Sequence, residues 1–256
     1  EELAAVPHHL INILEPDDEY SVSIFQQQAK SLIDQLSDNH VVPILSGGTG
    51  LYVQSLLENY NFNDIKPNTK LRNELDELYT EYGVNGLREY ARNLAEKGGI
   101  EIKYTDKHRL YRAIELMTAG DYKSLIKQTK EGLSYKGPVI GLQRERSDLY
   151  NRINRRVEIM FEKGLEDEVK QLLKNGVNPN CQAFKGIGYE EVVQYLDGLI
   201  SYDACVDLIQ KNTRHFAKRQ ITWYKRMPYI EWITIDSQTT EAEIYGMACN
   251  IIDSRF

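Results

Sequence analysis

Val41-Val42-Pro43-Ile44-Leu45-Ser46-Gly47-Gly48-Thr49-Gly50-Leu51-Tyr52 runs from an apolar stretch through a glycine-rich turn into a helical pattern that continues to Leu57. Val41–Leu45 reads as a short buried strand, with Pro43 its one blemish, because proline cannot donate to a ladder. Strand, glycine turn, helix is the grammar of an α/β protein. Backbone N–H groups at a helix N-terminus, with no Cβ in the way, can hold an anion, and the same residues can serve a plain tight turn. Spacing alone leaves both readings open. A Walker A loop is excluded, since it needs a Gly-Lys pair and none occurs in the chain.

Outward from this stretch, an apolar run over Leu10–Leu14 is the first recognisable element, and a helix follows from Ser21, a suitable N-cap, to Leu36. After Asn59 the texture changes. Successive charged amphipathic helices are predicted over 70–82, 85–97, 105–119 and 121–131, with glycines at the joints and no good strand. Pro138–Leu142 restores a strand, followed by helices at 147–163 and 165–175, a glycine-containing loop at 176–188, and helices at 189–197 and 202–226. A last strand, Tyr229–Ile235, precedes a terminal helix from about Thr240. The economical organisation is an α/β core, residues 1–58 and 138–256, interrupted by an all-helical insertion over 59–137. No fixed-period repeat or low-complexity tract is present.

The 256 residues, 41% hydrophobic and 27% charged, fall in the ordinary globular range and exclude a disordered or fibrous chain. No apolar run approaches the roughly 20 residues of a membrane helix. Cys181, Cys205 and Cys249 are odd in number and far apart, which argues against a disulfide framework and for a cytoplasmic setting. The net charge of −7 would by itself disfavour nucleic acid, but its distribution does not. Residues 1–60 carry nine acidic side chains and one basic one, Lys30, whereas 208–226 carry six basic residues and no acid. Phosphate binding depends on a local field screened within about 10 Å at 0.1 M salt. A basic face can therefore work on an acidic protein.

Two helices carry candidate chemistry. In 147–163, Leu149, Ile153, Val157 and Met160 form an apolar stripe; Arg155 points to solvent, and Arg152 and Arg156 lie at the stripe's edge. An arginine leaning toward a core needs an anion, either a protein carboxylate or a substrate phosphate. In 202–226, Cys205, Ile209, Phe216, Gln220 and Trp223 lie within a stripe, while Lys211, Arg214, Lys218 and Lys225 share the far face and His215, Arg219 and Arg226 border it. Such a run without compensating acid points to phosphate or nucleic acid. Gly186-Ile187-Gly188 begins a G-x-G-x-x-G, but Glu191 stands at the third glycine and no strand precedes it. No H-E-x-x-H, Cys/His ligand spacing or G-x-S-x-G occurs, so no protein-built metal site is expected.

In order and separation these pieces resemble the bacterial tRNA dimethylallyltransferase (tRNA isopentenyltransferase) family. The matching segments are Pro7–Asn12, Pro43–Tyr52, His108–Glu115, Leu149–Val157, Lys185–Glu191 and Ala217–Trp223, which together span nearly the whole chain. The resemblance implies a P-loop-NTPase-like parallel sheet core with a helical insertion. It implies transfer of the dimethylallyl group from dimethylallyl diphosphate to N6 of adenosine 37, beside the anticodon of tRNA, with Mg2+ carried by the diphosphate. An exocyclic amine is a poor nucleophile and needs a base. A diphosphate leaves with developing charge that fixed cations and N–H groups stabilise.

Residue by residue, Arg156 matches the family arginine assigned to the diphosphate. Thr49, Arg72, the run His108, Arg109, Leu110, Tyr111, Arg112 and the run Lys185, Gly186, Ile187, Gly188, Tyr189, Glu190 match tRNA-contact positions; Lys218 and Arg219 match a basic motif near diphosphate or tRNA. The family's phosphate-binding loop, of the G-x-T-x-S-G-K-T kind, and the aspartate that serves as its general base would both lie upstream of Glu1. The natural N-terminus is accordingly expected upstream, and a polypeptide beginning at Glu1 is expected to be inactive. A monomer is expected. Two other readings use some of the same features: a small-molecule phosphotransferase, distinguished by ATP turnover without RNA, and a non-catalytic RNA binder, distinguished by salt-sensitive binding without product.

Overall fold

The computed structural model describes residues 6–62, 65–125 and 133–255. The chain divides into two compact units, Glu1–Leu57 with Leu133–Phe256, and Glu58–Gly132.

The first unit is an α/β core. Helix α1 (Val22–Asp38) starts where the Ser21 hydroxyl accepts from Ile24 N–H, as the sequence suggested. It packs on α2 (Gly50–Leu57): the buried Gln26 amide donates to Ser55 O at 2.7 Å, and Phe25 stacks on Tyr52 with centroids 4.9 Å apart. The Ser134 N–H donates to Leu57 O at 2.8 Å, closing the core across the insertion point. Strands β1 (Val139–Arg144) and β2 (Ile230–Ile235) pair in parallel, in register from Val139 opposite Ile230 to Arg144 opposite Ile235.

A parallel pair needs a crossover, and here it consists of α5 (Arg146–Glu162), α6 (Leu165–Lys174), α7 (Tyr189–Leu196) and α8 (Tyr202–Tyr224). Val157, Val169, Phe184, Val192, Cys205 and Ile209 form its core, all essentially out of solvent. Helix α9 (Glu241–Asp253) begins with a reciprocal Thr240–Glu243 capping box and packs on β2.

The second unit is helical in its described residues. Helix α3 (Thr69–Lys97), capped by Asn68, is two helical segments meeting at Gly83, where φ is 62° and ψ −158°. Helix α4 (Lys107–Thr118), capped by Asp106, packs along it over Leu75, Leu87, Ala91, Leu110 and Ile114. The helix expected over 121–131 falls largely outside the described residues, which show a short 3-10 turn at Lys123–Leu125.

Three sequence expectations are corrected. Val41–Leu45 is not a buried strand: it has no ladder partner among the described residues, and Val42 and Ile44 are 83% and 87% exposed. Apolar content marks a chain that could pair, but a strand exists only beside a neighbour, and the only ladder among the described residues joins β1 to β2. Phe216 leaves the predicted stripe of α8 and lies exposed, while Ala217 turns inward and is buried. The period of 3.6 locates a helix face to within about one residue, and the smaller side chain took the crowded place. The Leu10–Leu14 run forms bends rather than a regular element. With these exceptions the core is the α/β fold with parallel pairing read from the sequence.

Candidate functional site

The glycine turn is built against α8. Gln220 Nε2–H donates to Gly48 O at 2.8 Å. A Cβ on Gly48 would lie 2.3 Å from that nitrogen, and one on Gly50 would lie 2.4 Å from Trp223 Cδ1. Gly50 is therefore required by the close approach of the indole, whereas at Gly48 the end of the Gln220 side chain would have to move; neither has positive φ. Thr49 between them is exposed, and its carbonyl accepts from Tyr52 and Val53 N–H, which starts α2.

Helix α8 keeps a face of uncompensated charge. Lys211, Lys218 and Arg219, and Lys225 and Arg226 just past its end, are exposed and make no ion pair among the described residues. The Arg219 guanidinium stands 5.8 Å from the Phe216 ring centroid. Arg214 is half-buried and donates to Asn154 Oδ1, joining α8 to α5.

On α5 the three arginines separate. Arg155 pairs with Glu158 at 2.8 Å and Glu162 at 3.6 Å on the solvent side. Arg156 and Arg152 are exposed and have no carboxylate partner among the described residues. Of the two anions open to an edge arginine, the protein carboxylate is thus absent from the described residues around Arg156.

The Lys185–Glu190 segment joins the 3-10 turn Ala183–Lys185 to α7. Lys185, Gly186 and Glu190 are exposed, Ile187 is half-buried and Gly188 is buried. Glu191, the residue that spoils the dinucleotide fingerprint, is a buried anchor: its carboxylate accepts from Gly188 N–H and from Asn212 Nδ2, each at 2.7 Å, tying this loop to α8. Tyr189 donates to Glu168 at 2.6 Å, and that bond, with burial, pushes its phenol up to about 12. A groove of ≈ 550 Å³ lies beside it, lined by residues that include Tyr20, Tyr52, Glu168 and Phe184.

In the helical unit, the predicted RNA residues Arg72 and Arg112 converge on Glu115, which is 2% exposed. Arg72 donates through Nε at 2.7 Å and Nη2 at 3.2 Å, Arg112 through Nη1 at 3.3 Å, and the Asn68 N–H adds a fourth bond at 3.0 Å. Burial works to raise the Glu115 pKa, but the bonds to Arg72, Asn68 and Arg112 outweigh it and leave the group below the ordinary glutamate value. Both arginines keep part of the side chain in solvent.

Within the run His108–Arg112, His108 and Arg109 are exposed, but Leu110 is fully buried and Tyr111 nearly so, its hydroxyl donating to Asp76 at 2.8 Å. Those two side chains hold α4 to α3. Lys107 also reaches Asp76 at 2.8 Å, and this contact with that from Tyr111 lowers the Asp76 pKa.

Sequence reasoning named Glu115, Glu191 and Gln220 but gave none of them a role in the site. Arg112 and Glu115 at i and i+3 were a legible pair, and Glu191 has a local partner in Gly188, but Asn212 and the Gly48 carbonyl that Gln220 meets lie 21 and 172 residues away, beyond any local signal. Among the described residues no group of three or more His, Cys, Asp or Glu is placed to hold a metal ion, and no helix is long and apolar enough to cross a membrane.

The IPP transferase family model matches residues 1–227. A tRNA dimethylallyltransferase of Alkaliphilus metalliredigens is 37% identical over 98% of this chain and 81% of its own length. One from Carboxydothermus hydrogenoformans is 39% identical over 94% and 78%, respectively. Among solved structures, the tRNA isopentenylpyrophosphate transferase of Bacillus halodurans aligns with a TM-score of 0.69 at 34% identity, covering 99% of this chain and 81% of that one. The corresponding Staphylococcus epidermidis enzyme gives a TM-score of 0.67 at 32% identity. With a P-loop-like α/β fold shared with these enzymes and a family match over most of its length, the chain belongs to the IPP transferase family.

Proposed function

We propose that the protein is a tRNA dimethylallyltransferase, moving the dimethylallyl group from dimethylallyl diphosphate to N6 of adenosine 37 in the tRNA anticodon stem-loop and releasing diphosphate. Family membership supports the chemistry, and the observation on this chain that carries it is the set of exposed cations without carboxylate partners on α5 and α8. Cations left without an ion pair by a protein that pairs Arg144 and Arg155 internally are available to phosphate.

In this reading Arg156 stabilises the charge that grows on the leaving diphosphate, in a site where a fixed cation needs no reorganisation. Lys218 and Arg219 add positive field to the diphosphate or the RNA backbone. Mg2+ enters bound to the diphosphate, whose charge it offsets, and the protein acts as a monomer in the cytoplasm. The core, 1–58 and 138–256, carries the transfer, and the insertion, 59–137, contacts tRNA. The target base must leave its stack, at a cost of a few kcal/mol. Contacts from Thr49, Arg72, His108, Arg109, Arg112 and the Lys185–Glu190 loop offset that cost.

The test is to incubate the full-length protein with an anticodon stem-loop, dimethylallyl diphosphate and Mg2+, and to weigh the RNA. A gain of one C5H8 unit that disappears when the adenine is replaced is the expected result. ATP turnover without RNA, and no gain, would instead support a phosphotransferase.

A further inference from the structure

We propose that Gln220 and Trp223 are positioning residues that hold Thr49 where it meets RNA, an inference that rests on the transferase reading above. The two side chains lie three residues apart on α8 and so share one face of the helix. Gln220 takes the carbonyl before Thr49, and Trp223 lies against the glycine after it. The turn is thus gripped on both sides of a threonine whose own side chain is left exposed.

The grip matters because, apart from the Thr49 carbonyl that starts α2, the turn has few other restraints. The chain that leads into it, Val41–Leu45, has no ladder partner among the described residues, and Gly47 has open space where a side chain would be. The indole Nε1–H is buried there, without a protein acceptor among the described residues. Lys218 and Arg219 stand on the same helix. One rigid element therefore presents charge to a polyanion and sets the position of a neutral hydrogen-bonding side chain, so that phosphate attraction and Thr49 contact arrive in a fixed relation.

The measurement is steady-state prenylation of an anticodon stem-loop by the full-length protein carrying Gln220→Met, which keeps the length of the side chain but removes the donor. KM for RNA is expected to rise roughly tenfold with kcat little changed. In a Thr49→Ala background the same substitution is expected to add less than about a twofold change, because its effect passes through Thr49. Gln220→Glu supplies an independent readout: its carboxylate faces the Gly48 carbonyl without a proton to donate, so its KM relative to wild type recovers as pH falls and the carboxyl becomes a donor.

Additive losses in the double variant, or an unchanged KM in Gln220→Met, would overturn the positioning role while leaving the transferase reading intact. A wild-type protein that forms no prenylated RNA would remove both.

Discussion

At the residue scale, this protein handles its arginines in two ways. Arg72 and Arg112 share the buried Glu115, whereas Arg156 faces solvent without a carboxylate among the described residues. Replacing Arg156 by Ala is expected to lower kcat on the order of 100-fold or more, the scale of losing one fixed donor to a developing anion. RNA affinity, measured by filter binding, is expected to stay within about threefold; equal losses in rate and affinity would overturn the diphosphate role. Glu115→Ala is expected to destabilise the protein by about 2–3 kcal/mol in urea unfolding. That is below the roughly 3–5 kcal/mol for breaking a fully buried pair, because both arginines retain access to water. Because the Glu115 pKa is depressed on folding, its contribution is complete above the unfolded glutamate value and is lost as pH falls through the lower, folded value. An acid titration of stability should therefore show a shallower loss in Glu115→Gln than in wild type. The arginines themselves were legible as candidates in the sequence, but their allotment was not. Which cation meets a carboxylate depends on a residue 43 positions away from Arg72.

At the element scale, helices were legible from their periodicity, which is local; the sequence named Ser21 as a cap, and Asn68, Asp106 and Ser201 likewise accept from an N–H three residues on. Strands were less so, since Val41–Leu45 has the right composition but no neighbour among the described residues. The break in α3 was readable as a glycine joint, and its geometry explains the residue: φ 62° with ψ −158° is a region essentially reserved for glycine. Gly83→Ala is expected to cost about 1–3 kcal/mol in chemical denaturation, although open space surrounds the position, because the strain lies in the backbone. A neutral effect would mean that the two segments can straighten into one helix. The Lys185–Glu190 loop had no periodic signature; it is fixed by Glu191, which accepts from Gly188 N–H within the loop and from Asn212 on α8.

At the scale of the whole molecule, a net charge of −7 coexists with a basic helix face. RNA affinity is expected to fall with salt, with log K against log[salt] flattening by about 0.7 for each phosphate-contacting cation removed from single-stranded RNA. Lys218→Ala and Arg219→Ala should each flatten the slope, whereas Lys170→Ala, whose ammonium is already paired with Glu166, should not. The two-unit organisation has its own consequence, in the hydrogen bond from Ser134 to Leu57. Chain leaving the core at Leu57 returns to it one hydrogen bond away, so the host sees the intervening segment as a closed loop, whatever that loop contains. A gene encoding such a protein can lengthen, shorten or exchange this segment in a single event, and the core need not be redesigned to accept the result.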